Sequence, residues 1–360
     1  MSSDLDRSTF HDQPDLPYDG EPLDGRFKVV ERAASGAWGD VYRGEHLRVG
    51  RPVAIKVLRK ELIGSPEKKR RFEMEARAVS KLDHAGLVSV LDSGVTPNGS
   101  PYMAMEWLDG DTLDAIIARE GALPVPQVID IFIQACEALH AAHTGGVIHR
   151  DIKPSNLMLT RDKETQRVRV KLLDFGLALM DQSPEEQRLT GAGLTVGTPA
   201  YMSPEQCTAQ PLNRQSDIYG LGCCLFEALT GKRIFEAADE YGYMMKHAHD
   251  DPPSLRKLCP DMPYVRALDL TLQIALSKRP SDRYETAMEM ADDLRAIINP
   301  KHKSKQQQVV RRRYPCQQRK QTRAAAIAAP PWLVPVILFL SLVFCVACYF
   351  IAMNQPLPGQ

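Results

Sequence analysis

His149-Arg150-Asp151-Ile152-Lys153-Pro154-Ser155-Asn156 is the most informative segment of this 360-residue chain. It follows a glycine-containing turn after a helix predicted at residues 125–143, and Asp174-Phe175-Gly176 follows a strand predicted at residues 168–173. The two segments place two carboxylates and one amide on adjacent loops. Oxygen ligands of this kind bind Mg²⁺, and a carboxylate can also accept a proton. Asp151, Asn156 and Asp174 are therefore candidate site residues.

A lysine lies within an apolar strand upstream, in Val53-Ala54-Ile55-Lys56. A lysine in such a strand needs an anionic partner or a side that faces solvent, because burial of an unpaired charge is costly. The candidate partner is Glu75, in a charged helix predicted at residues 65–82. A solvated helical face is the alternative interpretation of a single glutamate in so charged a run.

Glycines join the first two predicted strands, in Ala34-Ser35-Gly36-Ala37-Trp38-Gly39-Asp40-Val41. Glycine at such a turn lets backbone N–H groups approach a phosphate closely. A glycine-containing hairpin without a ligand is the alternative interpretation. This segment alone is weak support for a nucleotide site.

Hydrophobic periodicity divides residues 26–297 into a small β-rich lobe, 26–108, and a larger helical lobe, 109–297. The strands of the first lobe are predicted at residues 27–32, 40–46, 51–58, 87–91 and 102–106. In the second lobe, Val128, Phe132, Ala135 and Leu139 repeat on one face of the helix at 125–143. The predicted fold class is α+β with two lobes.

Taken in order, five motifs resemble the protein kinase signature set: the glycine-rich loop, the strand ending at Lys56, the segment 149–156, Asp174-Phe-Gly, and Ser203-Pro204-Glu205. The resemblance covers residues 26–297. Asp151-x-Lys153-Pro-x-Asn156 is similar to the serine/threonine version of the catalytic loop rather than the tyrosine version. The chain most resembles the bacterial eukaryotic-like (Hanks-type) serine/threonine kinases that carry a membrane helix after the catalytic domain.

The resemblance implies a two-lobed kinase fold, ATP and Mg²⁺ as cofactors, and proteins as substrates. Asp151 would accept or orient the hydroxyl proton, and Lys153 would neutralise charge on the moving γ-phosphoryl group. Asn156 and Asp174 would hold Mg²⁺. The nucleotide would be bound by the glycine-rich loop, by the lysine strand with its helical partner, and by the hinge, which together contribute Ala34, Gly36, Gly39, Val41, Ala54, Lys56, Glu75, Glu106 and Leu108.

Further roles are implied around these positions. Met105 resembles the gatekeeper that precedes a hinge at residues 106–108. Arg150 would answer a phosphate on the activation segment, where the candidate acceptors are Thr190, Thr195 and Ser183. Thr198 resembles a residue that contacts Asp151 and Lys153. Asp217 and the pair of Glu205 with Arg283 resemble structural residues that hold the catalytic loop and the end of the activation segment.

Two positions depart from the family pattern. Ala34 replaces the first glycine of the loop, and it would cost about 1 to 2 kcal/mol if the backbone there required positive φ. Ser203 replaces the alanine of Ala-Pro-Glu, a change we expect to be harmless. Two alternative functions remain open at this point. One is a catalytically silent, membrane-tethered scaffold with the same fold, and the other is a kinase of small molecules, which the long activation segment disfavours.

Charge is distributed unevenly along the chain. The whole sequence has 45 basic and 45 acidic residues, which gives no indication of a nucleic-acid binder. Residues 1–293 carry 35 basic against 45 acidic residues, a net charge of −10, whereas residues 301–323 carry nine basic residues and no acidic ones. We expect residues 1–25 to form a disordered acidic tail and residues 298–331 to form a flexible basic linker that attracts anionic lipid.

Residues 332–353 contain no charged side chain, and as a helix these 22 residues would extend about 33 Å. They are predicted to form one transmembrane helix, with a buried core helix as the alternative. The basic residues before it place the kinase-like domain in the cytoplasm at the inner membrane, with residues 354–360 outside. The membrane and a second copy of the chain, phosphorylated in trans, are therefore expected partners.

Several cysteines and histidines receive structural interpretations. Cys223 and Cys224 lie in an apolar stretch and are expected to be core thiols in a reducing cytosol. His140 and His143 are three residues apart, but no third ligand is nearby in the sequence. Cys345-x-x-Cys348 lies within an apolar run. We predict no metal site at either place.

Overall fold

The computed structural model describes residues 21–36, 39–59, 64–162, 164–175 and 198–299, without the side chains of Glu67, Lys68, Arg71 and Glu75. These ranges fall within one compact unit, residues 1–303. Residues 1–20 of the predicted acidic tail, the linker from residue 300 and the transmembrane segment 332–353 lie outside the described residues. The prediction of disorder is wrong for residues 21–25, because Leu23 is fully buried and bridges to Phe27. Among the helices of the described ranges, none combines the length and the apolar character needed to cross a bilayer.

The first lobe is an antiparallel sheet with the strand order β1-β2-β3-β5-β4 and one helix. Its elements are β1 Phe27–Ser35, β2 Gly39–His46, β3 Arg51–Leu58, α1 Pro66–Val79, β4 Val90–Val95 and β5 Pro101–Glu106. One face of the sheet buries a core that includes Phe27, Ile55 and Tyr102. Helix α1 begins at a proline, where the missing N–H costs no intrahelical bond.

The strand predicted at residues 87–91 is wrong in its position. β4 begins only at Val90, and Leu87 instead forms a parallel bridge with Leu172. The N–H of Val88 donates to the Leu172 carbonyl at 3.2 Å. Both residues are buried, and Val88 packs in the first-lobe core with Leu58, Phe72 and Met103. Burial of these side chains therefore does not require a place in a strand of the large sheet.

The second lobe has a small sheet, ordered β6-β7-β8, and a set of helices. The strands are β6 Gly110–Thr112, β7 Leu157–Arg161 and β8 Val168–Leu172. The helices are α2 Leu113–Glu120, α3 Val125–Thr144, α4 Pro204–Cys207, α5 Arg214–Thr230, α6 Glu240–His249, α7 Leu255–Leu258, α8 Val265–Ala275 and α9 Ala287–Ile298. The long helix predicted at 125–143 is confirmed as α3, and the predicted two-lobed α+β fold is confirmed with it.

Helix α5 forms the centre of the second lobe. Asn213 caps its first turn by accepting a hydrogen bond from the Gln215 N–H at 2.9 Å, and the helix ends at Gly231, whose φ is +69°. Cys223 and Cys224 lie buried within it, and burial raises the pKa of both thiols. The prediction of core thiols is confirmed at these two positions.

Candidate active site

The catalytic loop, residues 149–156, holds the Asp151 side chain between two other side chains of the same loop. Lys153 Nζ contacts Asp151 Oδ2 at 2.7 Å. Asn156 Nδ2 donates to the Asp151 backbone carbonyl at 2.8 Å and to Oδ2 at 3.2 Å. A cation and an amide therefore fix the Asp151 carboxylate, which stays partly open to solvent. This arrangement can orient a hydroxyl group and accept its proton.

Lys56 and Asp174 form a second charged pair, between β3 and the loop after β8. Lys56 Nζ lies 2.9 Å from Asp174 Oδ1, with side-chain exposures of 9% and 43%. Desolvation by burial opposes ionisation of Asp174, but this carboxylate is only partly desolvated. The positive charge of Lys56 and its hydrogen bond prevail, and they hold the pKa of Asp174 below its usual range. The backbone of Asp174 has a φ of +46°, a strained conformation of the kind concentrated at functional sites.

The sequence predicts Glu75 as the partner of Lys56. Glu75 lies on α1, but its side chain is outside the described part of the chain. That pairing stays a prediction. The described contact joins Lys56 to Asp174, two residues that sequence reasoning assigned to separate tasks, the first to phosphate and the second to metal.

The oxygen atoms of Asn156 and Asp174 fit a divalent cation. Both described hydrogen bonds of the Asn156 amide nitrogen go to Asp151, which leaves the amide oxygen as the group that can bind a cation. Asp174 uses Oδ1 for Lys56 and adds a second oxygen. In the described ranges, no group of three or more His, Cys, Asp or Glu side chains could hold a metal ion by itself. A site of two protein ligands suits a cation that is bound together with substrate phosphates.

In the glycine-rich loop the constraint is close strand packing at Gly39, and not backbone strain at Ala34. Ala34 pairs with Val41 in the β1–β2 ladder and does not have a positive φ, so the alanine carries no such strain. A Cβ atom at Gly39 would lie 2.3 Å from the Val57 carbonyl oxygen, so close packing of β2 on β3 requires glycine there. The Gly36 N–H donates to the Gly39 carbonyl at 2.9 Å, across the two loop residues outside the described ranges.

The remaining predicted nucleotide residues lie on the strands around Lys56 and at the start of the hinge. Val41 on β2 pairs with Lys56, and Ala54 on β3 pairs with Met105. The Glu106 carboxylate accepts hydrogen bonds from the Ser89 N–H, at 2.8 Å, and from Lys171. The side chain of Glu106 is therefore engaged within the protein, so Glu106 can offer its backbone groups to a base.

Asp217, on α5, holds the backbone of the catalytic loop. Its Oδ2 accepts the N–H of His149 and its Oδ1 accepts the N–H of Arg150, both at 2.7 Å. His143 Nε2 contacts the same Oδ2 at 2.7 Å. The predicted structural position of Asp217 agrees with this geometry. Local sequence pattern does not predict the contribution of His143, because its partner lies 74 residues away.

His149 packs on the loop that carries Asp174. Its ring stacks on Phe175 with centroids 4.5 Å apart, and its Nε2 contacts the Leu173 carbonyl at 2.8 Å. Burial lowers the pKa of His149 and keeps the ring neutral at physiological pH. The catalytic loop and the loop after β8 are thereby held together, as the adjacent positions of the two motifs predict.

Beyond the activation segment, Glu205 and Arg283 form a buried pair, with contacts of 2.6 and 2.8 Å. Ser203, one of the two departures from the family pattern, caps α4 by accepting the Gln206 N–H at 3.4 Å. Thr198 lines a small cavity of about 20 Å³ together with Asp151. Its predicted contacts with Asp151 and Lys153 stay a prediction, and Ser183, Thr190 and Thr195 lie outside the described residues.

Comparison with known proteins gives consistent results. A family model described as "Protein kinase domain" matches residues 27–308. The chain is 35% identical over 314 residues to serine/threonine-protein kinase pkn3 of Myxococcus xanthus, covering 87% of this chain and 55% of that protein. It is 37% identical over 286 residues to serine/threonine-protein kinase PknB of Mycobacterium tuberculosis, covering 77% and 44%. The chain thus spans about half the length of these curated relatives.

Among solved structures, the kinase domain of PknI from Mycobacterium tuberculosis superposes with a TM-score of 0.60 at 27% sequence identity. The match covers 78% of this chain and 98% of that domain. The similarity therefore extends over the described two-lobed unit.

Proposed function

This chain belongs to the protein kinase family, and from that premise we propose that it transfers the γ-phosphate of ATP to serine or threonine hydroxyls of proteins. The observation that carries the proposal is the pairing of Asp151 with Lys153 beside the pair of Lys56 with Asp174. One pair presents a carboxylate to a hydroxyl group. The other presents a cation to phosphate and a carboxylate to a metal ion.

The mechanism assigns a task to each of these side chains, and two tasks to Asp174. Asn156 and Asp174 would hold Mg²⁺, which supplies charge neutralisation on the phosphates when bound. Lys56 binds phosphate oxygens and is held in place by Asp174. Asp151 orients the substrate hydroxyl and accepts its proton at a carboxylate oxygen. Lys153 stabilises the negative charge on the transferred group, because in this chemistry catalysis is mostly positioning and electrostatics.

This function is tested by incubating the purified 360-residue chain in detergent with Mg²⁺, labelled ATP and myelin basic protein. We expect label on serine and threonine of the basic protein, and at least about 100-fold less with Asp151→Asn. A silent scaffold would give no transfer, either from the unmodified chain or from Asp151→Asn. A kinase of small molecules would label a small acceptor but leave myelin basic protein unlabelled.

The proposed enzyme activates itself by phosphorylation in trans on Thr190 or Thr195. Arg150, next to Asp151, supplies the positive charge that a phosphate on this segment would meet. Mass spectrometry after incubation with ATP is expected to find phosphate on one of the two threonines, and the double alanine variant is expected to lose rate. Full activity of an unphosphorylated protein contradicts this proposal.

The proposed location is the inner membrane, with residues 332–353 as a transmembrane helix. The support is the absence of charge over these 22 residues and the nine basic residues at 301–323, each attracted to anionic lipid by about 1 kcal/mol. Tethering raises the effective concentration of one copy for another. Deletion of residues 330–360 is expected to release an enzyme whose autophosphorylation falls steeply on dilution. A truncated enzyme phosphorylated equally at every concentration contradicts the tethering proposal.

A further inference from the structure

His247, on α6, is completely buried, and both of its ring nitrogens are engaged. Nδ1 lies 2.9 Å from the Tyr219 hydroxyl on α5, and Nε2 lies 2.9 Å from the Ala200 carbonyl. Ala200 belongs to the single turn Pro199–Tyr201, which precedes α4. One imidazole therefore joins two helices to a short irregular segment.

The partners determine which nitrogen of His247 carries the proton. A carbonyl oxygen can only accept, so Nε2 donates to Ala200. Nδ1 must then accept the proton of the Tyr219 hydroxyl. Burial lowers the pKa of His247 to about 4, with the nearby charge of Lys278 acting in the same direction. The ring is neutral at pH 7, and this hydrogen-bond arrangement requires a neutral ring.

Further contacts surround His247 and its partner Tyr219. Lys278 Nζ donates to the backbone carbonyl of His247 at 2.8 Å and lies 5.2 Å from the centroid of the Phe235 ring. The ring of Tyr219 lies beneath the guanidinium of Arg283, at 4.9 Å. Because Arg283 is itself paired with Glu205, the imidazole is linked through Tyr219 to a buried ion pair.

The segment that His247 holds lies beside Asp151. Thr198, Tyr201 and Met202 line the same cavity as Asp151. Four residues further on, Gln206 Nε2 donates to the backbone carbonyl of Arg150 at 2.8 Å. A protein hydroxyl that reaches Asp151 comes close to the residues that line this cavity. The position of the segment 198–203 therefore affects how a protein substrate is held.

We propose that His247 is a positioning residue for the protein substrate, which acts by holding the Ala200 carbonyl and thereby the segment 198–203 against the catalytic loop. The proposal rests on the proposed kinase function. Lys56 and the hinge do not depend on this segment. Loss of the hydrogen bond to Ala200 therefore weakens use of the protein substrate and leaves use of ATP unchanged.

Two substitutions separate the two hydrogen bonds of the ring. In His247→Gln the amide nitrogen can occupy the place of Nε2 and keep the bond to Ala200. In His247→Asn the shorter side chain can reach Tyr219 but not Ala200. The matched control is His249→Asn, the same change at an exposed position of the same helix.

Steady-state rates of the full chain in detergent are measured against myelin basic protein and against ATP. We expect His247→Asn to raise the KM for the basic protein about tenfold, as for one lost buried hydrogen bond, with the KM for ATP changed less than twofold. His247→Gln and His249→Asn are expected to stay within about threefold of the unmodified chain. Equal losses in both KM values, or equal behaviour of the Asn and Gln variants, overturn the proposal.

Hydrogen exchange of the segment 199–207 supplies a readout that needs no activity. We expect faster exchange of these amides in His247→Asn, about tenfold, and ordinary exchange in His247→Gln. If the unmodified chain fails to phosphorylate myelin basic protein, the proposed function is wrong. Hydrogen exchange alone then tests whether His247 holds the segment 198–203. Unchanged exchange in His247→Asn overturns the positioning proposal even if the chain is an active kinase.

Discussion

Two of the ion pairs in this molecule, Arg283 with Glu205 and Lys56 with Asp174, differ in how completely their polar atoms are satisfied. Arg283 and Glu205 are 0% and 2% exposed, whereas Asp174 of the pair with Lys56 is 43% exposed. Each of the five N–H groups of Arg283 donates a hydrogen bond, two to Glu205 and three to the carbonyls of Gln215, Ser277 and Lys278. The pair of Arg283 with Glu205, the closed pair, has all of its guanidinium N–H groups satisfied and maintains structure. The pair of Lys56 with Asp174, the open pair, has an exposed carboxylate that can take part in binding.

The difference also separates the expected consequences of mutation. Removing one partner of a closed pair leaves the other charge buried and unpaired, which costs stability. In the open pair Asp174 is 43% exposed, and an asparagine in its place keeps an oxygen that can accept the hydrogen bond of Lys56. We therefore expect the cost to fall mainly on ligand binding and catalysis. Asp174→Asn and Arg283→Ala test this separation directly, and two further predictions concern smaller effects.

Asp174→Asn breaks the open pair and removes the negative charge that a metal ion requires. We expect phosphoryl transfer to fall by about 100- to 10,000-fold, and Asp151→Asn to cause a loss of the same order. Initial rates with labelled ATP measure the loss, and circular dichroism of both variants is expected to match the unmodified chain. Near-normal autophosphorylation in both variants would show that the assigned roles are wrong.

Arg283→Ala breaks the closed pair. We expect unfolding to become easier by about 3–5 kcal/mol, because Glu205 and three carbonyls lose their donors together. Urea titration followed by circular dichroism measures this change. Arg214→Ala, which removes an exposed contact with Glu285, is the control and is expected to cost at most about 1 kcal/mol. A loss below about 1 kcal/mol in Arg283→Ala contradicts the structural assignment.

Lowering the pH acts on His247, whose partner Tyr219 contacts Arg283 of the closed pair. His247 has a folded-state pKa of about 4, lowered by burial, against about 6.5 in the unfolded chain. Below pH 6.5 the unfolded chain therefore binds a proton that the folded chain refuses, and stability is lost as the pH falls from 6.5 to 4. The total loss from this residue is about 3 kcal/mol. Urea titrations at pH 7 and pH 4.5 are expected to show a smaller loss in His247→Gln, and an equal loss in both proteins contradicts the assignment.

Ala34→Gly is expected to have the smallest effect. Because Ala34 pairs in the β1–β2 ladder without a positive φ, glycine relieves no strain there. We expect the KM for ATP to change less than twofold, with stability lower by about 0.5–1 kcal/mol from added backbone freedom. Gly39→Ala is the contrasting variant, since its Cβ would collide with the Val57 carbonyl. A marked gain in ATP affinity in Ala34→Gly would show that the family glycine is needed after all.

Secondary structure and site residues can be predicted from the sequence where the hydrophobic periodicity and the motif lie in the same short segment. The helix α3 and the strands β1 to β3 follow from apolar spacing, and the motif around Asp151 predicts the loop that carries it. The same reasoning misplaced β4, because burial of Leu87 and Val88 has the same signature inside and outside a strand of the large sheet.

Contacts between distant parts of the chain could not be predicted from local pattern. The described partner of Lys56 is 118 residues away, and those of His247 are 28 and 47 residues away. A buried histidine in a helix gives no signal in the sequence, because its spacing resembles that of any core residue. Only the fold shows that a carbonyl and a tyrosine fix its two nitrogens.

Buried cysteines on two central helices give this molecule built-in reporters of opening. Cys136 on α3 and Cys223 and Cys224 on α5 are inaccessible, and burial raises the pKa of each thiol, so the reactive thiolate is suppressed twice over. An alkylating reagent can reach them only when the helices separate from their neighbours. Their labelling rates, resolved by mass spectrometry, would time the excursions of the second lobe from its native state, with the more accessible Cys207 and Cys259 as the internal reference.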